Sequence, residues 1–229
     1  FWQVFRFAAP NLMAGNPGLL KHASNVPRCA LAIEEVLIKA GFEDHAFQTL
    51  LIGSNAAADV IADDRVAGVT LTGSEKAGAA VGRAAGAALK PCVLELGGSD
   101  AYIVMPSADL DEAVSTAVTA RIQNNGQSCI AAKRFIIHEE VYETFAEAFT
   151  EQMARLCIGD PCEDETDIGP LIDADAADEA LAQADKSVHA GAIARLQPER
   201  GEHAYLSPGV LEAIPETAPV HTEEVFAPI

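Results

Sequence analysis

Short apolar runs that end in turn residues alternate with segments of helical spacing along most of this chain. That alternation restricts the fold more than any other feature of the sequence. Gly18-Leu19-Leu20-Lys21 predicts a strand, and from Arg28 to Ala40 apolar side chains at 33, 36, 37 and 40 follow helical spacing until Gly41 supplies a stop. Phe47 to Ile52 predicts a second strand and Ala56 to Ala62 a short helix. Val66 to Leu71 predicts a buried-type strand leading into Thr72-Gly73-Ser74, Glu75 to Leu89 an Ala/Gly-rich helix, and Cys92 to Leu96 a further strand. Strand and helix at this pitch imply βαβ units and a parallel sheet. Open parallel sheets bind ligands beyond the carboxyl ends of their strands. Lys21, Gly73-Ser74 and Glu95-Leu96-Gly97-Gly98 each fall at such an end.

The pattern continues past Gly98. Ala101 to Met105 predicts a strand, and Asp109 with Glu112 resembles a capping box opening a helix with Leu110, Ala113, Val114, Ala117 and Val118 on its apolar face. Helical spacing recurs through Val141, Phe145, Phe149, Met153 and Leu156. From Pro161 the chain turns looser and more acidic, with one further helix around Asp173 to Ala190. A domain boundary is expected near Gly97-Gly98. The chain opens in an aromatic, apolar stretch and stops at Phe226-Ala227-Pro228-Ile229, so it reads as a piece of something longer.

Composition excludes several classes. A chain of 229 residues holds one large domain or two small ones, and 49% hydrophobic residues argue against disorder. Thirty-four acidic against 15 basic side chains, net −19, disfavour nucleic acid or an anionic membrane as partner. No apolar run approaches the ~20 residues of a membrane helix, and Phe1 to Arg6 lacks the layout of a signal peptide. A cytoplasmic protein is expected. The cysteines at 29, 92, 129, 157 and 162 form no CxxC, and neither a disulfide framework nor a metal site is expected. Most of these thiols should be buried and inert.

Cys129 is the candidate exception. It follows Asn124-Asn125-Gly126-Gln127-Ser128, a polar, Gly-containing segment after a helix, where backbone N–H groups can stabilise a thiolate and an adjacent oxyanion. A lone cysteine is nonetheless more often structural. Glu95, at a strand end closed by Gly97-Gly98, fits a cap, an ion pair or a catalytic base equally well.

Glu95-Leu96-Gly97-Gly98 followed by Asn125-Gly126-Gln127-Ser128-Cys129 resembles the paired signature of the aldehyde dehydrogenase superfamily. The resemblance extends, in order, to Gly18 to Ser24, to Leu71 to Ser74 with Gly78, to Ile168-Gly169-Pro170, to Tyr205 to Pro208, and to Glu223 to Phe226. Within the superfamily, Gln123 to Phe135 is similar to the succinate-semialdehyde dehydrogenase group. The resemblance implies an α/β aldehyde dehydrogenase-like fold truncated at both ends. Residues 1–97 would be the end of a Rossmann-type, parallel-sheet NAD(P)-binding domain, and 98–229 the start of an α/β catalytic domain.

It also implies roles. Cys129 would attack the aldehyde, and Glu95 would activate the water that hydrolyses the resulting thioester. Lys21 and Ser24 would meet the adenosine ribose of NADP or NAD. Gly73, Ser74, Gly78 and Leu96 would lie along the cofactor, and Glu224 and Phe226 beside its nicotinamide ribose. Outside the ensemble, Lys21 is a surface lysine and Ser74 an ordinary helix cap. Ser24 stands where NAD-preferring relatives commonly carry Glu, which tilts the expectation toward NADP. A small aldehyde would be the substrate, with no nucleic-acid or membrane partner and a homo-oligomeric parent.

The chain also departs from the pattern. The family's Pro-Trp-Asn segment would precede Phe1, and more catalytic domain would follow Ile229, so this stretch alone is expected to be inactive or to keep only a nucleotide-binding surface. Gln123 replaces an arginine that grips the substrate carboxylate in many succinate-semialdehyde enzymes, while Arg6 falls where a second such arginine is expected. An ion pair on a surface helix is the plainer reading of Arg6. Ala227 stands where relatives usually have Gly.

Overall fold

The computed structural model describes residues 1–229 and divides into two compact units, Phe1–Gly97 and Gly98–Ile229. In the first, α1 (Trp2–Met13) precedes β1 (Gly18–Leu20), α2 (Pro27–Lys39) and β2 (Phe47–Thr49), and then α3 (Ala57–Ala62), β3 (Val69–Thr72), α4 (Glu75–Ala87) and β4 (Cys92–Glu95) follow. Pro27 starts α2, where a missing N–H costs nothing. The amphipathic faces of α1 and α2 meet β2 in a core of Val4, Ala8, Ile33, Leu37 and Phe47.

The strands pair in parallel as β1 with β2 and β3 with β4, the latter in register from Val69 opposite Cys92 to Thr72 opposite Glu95. β2 stops short of the apolar run that predicts it. The Thr49 N–H donates to Glu34 at 2.7 Å and the Thr49 hydroxyl to the Ala30 carbonyl, which ties the strand end to α2.

The second unit opens with β5 (Asp100–Val104), α5 (Leu110–Ile122), a 3₁₀ turn at Gln123–Gly126, and β6 (Ala132–Ile137). β5 and β6 are parallel, joined by the α5 crossover. Asp109 caps α5 by accepting from the Glu112 N–H at 3.2 Å. Val114, Ala117 and Val118 bury against Phe145, Phe149 and Met153 of α6 (Tyr142–Ala154), where the Phe135 and Phe149 ring centroids lie 4.8 Å apart.

Next come α7 (Ala174–His189), β7 (Ile193–Leu196), β8 (Val210–Glu212) and the short α8 (Pro219–Thr222). Asp173 caps α7 through the Ala176 N–H at 2.8 Å. The antiparallel β7–β8 pair is absent from the sequence expectation. A second core joins Leu171, Ala177, Ala180, Leu206, Val225 and Ala227. The methyl of Ala227 is fully enclosed there, so the departure from Gly is absorbed as packing.

One expectation is corrected. None of the cysteines is fully buried: Cys157 and Cys162 are exposed, and Cys29, Cys92 and Cys129 are half-buried. Cys157 and Cys162 lie in the irregular stretch after α6, which has little apolar packing of its own. No helix is long and apolar enough to cross a membrane.

Candidate active site

Cys129 follows a segment of uncommon backbone. Asn124, Asn125 and Gly126 all take positive φ, at 54°, 57° and 75°. Asn tolerates this left-handed region better than other side-chain-bearing residues, and Gly adopts it without strain. Two consecutive non-glycine residues there persist only where their surroundings over-determine them.

The surroundings here do so. The Asn125 side chain donates to the Pro170 carbonyl at 3.0 Å and accepts from the Gly169 N–H at 3.1 Å. Asn124 donates to the Gln127 carbonyl at 2.8 Å, and Gln127 accepts from the Ile172 N–H at 2.9 Å. A Cβ on Gly126 would sit 2.3 Å from the Ala227 carbonyl oxygen, so only glycine lets these two segments touch. Ile168-Gly169-Pro170 and the Phe226-Ala227 segment therefore act on Cys129 as splints.

Two buried cations complete the support. Arg121, only 1% exposed, donates to the Gly126 carbonyl at 2.7 Å. Burial brings its pKa down to about 10, with the Glu224 charge pulling the other way, so the guanidinium stays charged at neutral pH. Lys133, its side chain 2% exposed, donates to the carbonyls of Ser128, Cys129 and Ala131 at 2.8, 3.0 and 3.3 Å. The Lys133 ammonium also lies 3.1 Å from Glu224 Oε1. The Cys129 N–H itself donates to no backbone carbonyl, which leaves it free for a ligand oxygen.

Glu224 and Phe226 border a groove of about 520 Å³ with Gln127, Ile172, Ala180 and Gln183. Phe226 is 46% exposed and presents its ring there. Gln123, the other expected residue of this unit, is exposed at the start of the 3₁₀ turn.

In the first unit the carboxyl ends of β3 and β4 bring Gly73, Ser74 and Glu95 together. Thr72 is paired with Glu95, and the Gly73 N–H donates to the Glu95 carbonyl at 3.0 Å. Ser74 caps α4, accepting from the Ala77 N–H at 3.3 Å. A Cβ on Gly78 would meet the Leu96 side chain at 2.5 Å, so Leu96 lies across the first turn of α4. Lys21 and Ser24 are exposed just beyond β1, in the other strand pair. Glu95 and Arg6 form a partly exposed ion pair at 3.3 Å.

The supporting roles of Arg121, Asn125 and Lys133 do not emerge from the sequence alone. A lysine following Ile130, Ala131 and Ala132, ahead of Arg134 and Phe135, is the available signal, because an ammonium on the buried side of such a stretch needs a partner.

The aldehyde dehydrogenase family matches residues 1–229. The chain is 55% identical, over 230 aligned residues, to the succinate-semialdehyde dehydrogenase [NADP(+)] 1 of Mycobacterium ulcerans, covering 100% of this chain and 50% of that protein. It superposes on succinic semialdehyde dehydrogenase from Streptococcus pyogenes, solved with NADP+, at a TM-score of 0.94 with 37% identity, covering 100% of this chain and 50% of that one. Lactaldehyde dehydrogenase from Escherichia coli gives 0.93 with 30% identity, covering 100% and 49%. The chain thus spans about half the length of these relatives. A family match over every residue, together with these superpositions, places the chain in the aldehyde dehydrogenase family, with that family's α/β fold.

Proposed function

We propose that the protein carrying this chain oxidises an aldehyde, succinate semialdehyde first among candidates, to its carboxylic acid with NADP or NAD. Residues 1–97 then belong to the cofactor-binding domain and 98–229 to the catalytic domain. The observation that carries the reading is the Cys129 loop: a strained left-handed turn, fixed from several sides, that holds a half-buried thiol beside an uncommitted N–H.

The residues fit a bound nicotinamide cofactor. The Glu224 carboxylate, its side chain 24% exposed, borders the groove beside Phe226, an acceptor suited to ribose hydroxyls. Gly73 has no atom closer to a notional Cβ than 3.8 Å, so a phosphate can approach the start of α4, where the helix end favours anions. Phe226 offers its ring beside Glu224, and Lys21 and Ser24 stand free for the adenosine ribose.

Cys129 attacks the carbonyl carbon, forming the C–S bond of a thiohemiacetal while its own N–H donates to the developing oxyanion. A nicotinamide bound there would supply the hydride acceptor, and loss of hydride from the thiohemiacetal leaves a thioester on Cys129. Glu95 takes a proton from water, the hydroxide oxygen attacks the acyl carbon, and the C–S bond breaks to return the thiolate. Arg6 serves both the substrate carboxylate and Glu95, which its ion pair holds at the strand end. Gln123 offers an amide where a charge would bind more tightly. The NADP-dependent names among the relatives, and Ser24 in place of a carboxylate, favour NADP.

Two substitutions in the full-length gene product test this. Glu95→Gln removes the base, so steady-state turnover falls by ~10²-fold or more while a first-turnover burst of reduced cofactor persists. An unchanged steady-state rate would remove Glu95 from the mechanism. Ser24→Glu places a negative charge against a 2′-phosphate and shifts the NADP/NAD ratio of kcat/KM about tenfold toward NAD. A constant ratio would refute the role of Ser24.

A further inference from the structure

The pairing of β5 with β6 slips at one point: Asp100 faces Ala132 and Ala101 faces Arg134, which leaves Lys133 as the extra residue of a bulge. Bulges re-aim a side chain, and this one turns an ammonium back under the loop that precedes it. All three ammonium protons go to carbonyls, those of Ser128, Cys129 and Ala131. None remains for Glu224, whose Oε1 lies 3.1 Å away, buried and without a hydrogen bond. The contact between Lys133 and Glu224 is therefore one of charge alone. A buried ammonium is costly to desolvate, and Glu224 is the anion beside it that offsets this.

We propose that Lys133 is the positioning residue through which Glu224 acts on the Cys129 loop, so that engagement of Glu224 by the cofactor alters the setting of the nucleophile. This rests on reading Cys129 as the nucleophile and Glu224 as a cofactor-binding carboxylate. When hydroxyl groups donate to Glu224, its pull on the ammonium weakens. The ammonium then bears more strongly on the Ser128 and Cys129 carbonyls. Arg121, which also feels the Glu224 charge, holds the Gly126 carbonyl from the other end of the loop.

The test measures the rate at which iodoacetamide alkylates Cys129, followed by peptide mass spectrometry, with and without saturating NADP in the full-length gene product. Addition of NADP is expected to change the wild-type rate by about fivefold or more. Lys133→Met and Glu224→Gln should each bring the ratio to about one, and the double variant no further, as coupling through a single path requires. A wild-type ratio retained in either variant would overturn the proposal. Glu224→Gln leaves the carbonyl bonds of Lys133 in place and, assayed at NADP concentrations that calorimetry shows to saturate that variant, decides the matter if Lys133→Met does not fold. Calorimetry separates the two layers. Wild-type protein that binds no NADP refutes the cofactor reading itself, whereas wild-type protein that binds NADP with an alkylation ratio of about one refutes only the coupling.

Discussion

Cys129→Ala in the full-length gene product is expected to abolish aldehyde oxidation, by a factor of ~10⁴ or more, while leaving the protein folded and able to bind NADP. The size follows from the role, since removing a covalent nucleophile removes the route and not merely one contribution to it. The selectivity follows from the loop. Its shape is set by the side chains of Asn124, Asn125 and Gln127 and by the cations of Arg121 and Lys133. The sulfur takes no part in that frame. Deleting one half-buried thiol from a loop so held costs little stability, and the melting temperature should stay within a few degrees. Steady-state kinetics with NADP reduction as readout checks the first half, and calorimetry with NADP the second. Residual turnover above ~1% of wild type would remove Cys129 from the chemistry.

Gly126→Ala is expected to do the converse, leaving the thiol in place and breaking the frame around it. The new Cβ would fall 2.3 Å from the Ala227 oxygen and 2.4 Å from its carbonyl carbon, inside the repulsive wall of both. Neither atom can yield as a flexible side chain would, because Ala227 is backbone packed at 0% exposure in the second core. The left-handed φ of 75° adds its own penalty for a side-chain-bearing residue. Together these cost about 3 kcal/mol, a fall in melting temperature of roughly 3 °C in a protein about twice this length. Activity should fall with it, because the Gly126 carbonyl would leave Arg121. Gly86→Ala serves as the control. It lies in α4 with nothing within 4 Å of a notional Cβ, so alanine there should be neutral or stabilising by up to ~1 kcal/mol. Equal losses in the two variants would remove the steric account of Gly126.

Elements whose signals are local are legible in the sequence. α7 is one, because Asp173 and the alanine-rich face after it carry their own cap and period. α5 is another, with Asp109 bonded as a capping residue should be. The strand pair β7–β8 is not legible. Each strand is short, Arg195 interrupts the apolar pattern of β7, and the pairing depends on a partner beyond the intervening turns.

The site divides the same way. Cys129 and Glu95 can be proposed from sequence because their neighbours there form a motif. The parts played by Lys133, Arg121 and Asn125 cannot, because each derives its meaning from a bulge, a burial or a distant segment that exists only once the chain has folded. Arg6 shows the limit from the other direction. The sequence leaves both of its readings open, and the structure adds an ion pair with Glu95 that no local pattern announces.

The left-handed turn bears on how such a protein is recognised at all. In Asn124-Asn125-Gly126-Gln127-Ser128-Cys129, both asparagines and the glutamine are occupied in holding backbone, and the glycine is there because nothing larger fits. Most of the information in the signature is thus architectural: it fixes a shape of loop, and on the proposed reading a single letter carries the reaction. A descendant that exchanged the cysteine for serine or alanine would keep nearly the whole signature and all of the shape. Any search that scores the string as a unit would still return it as an enzyme.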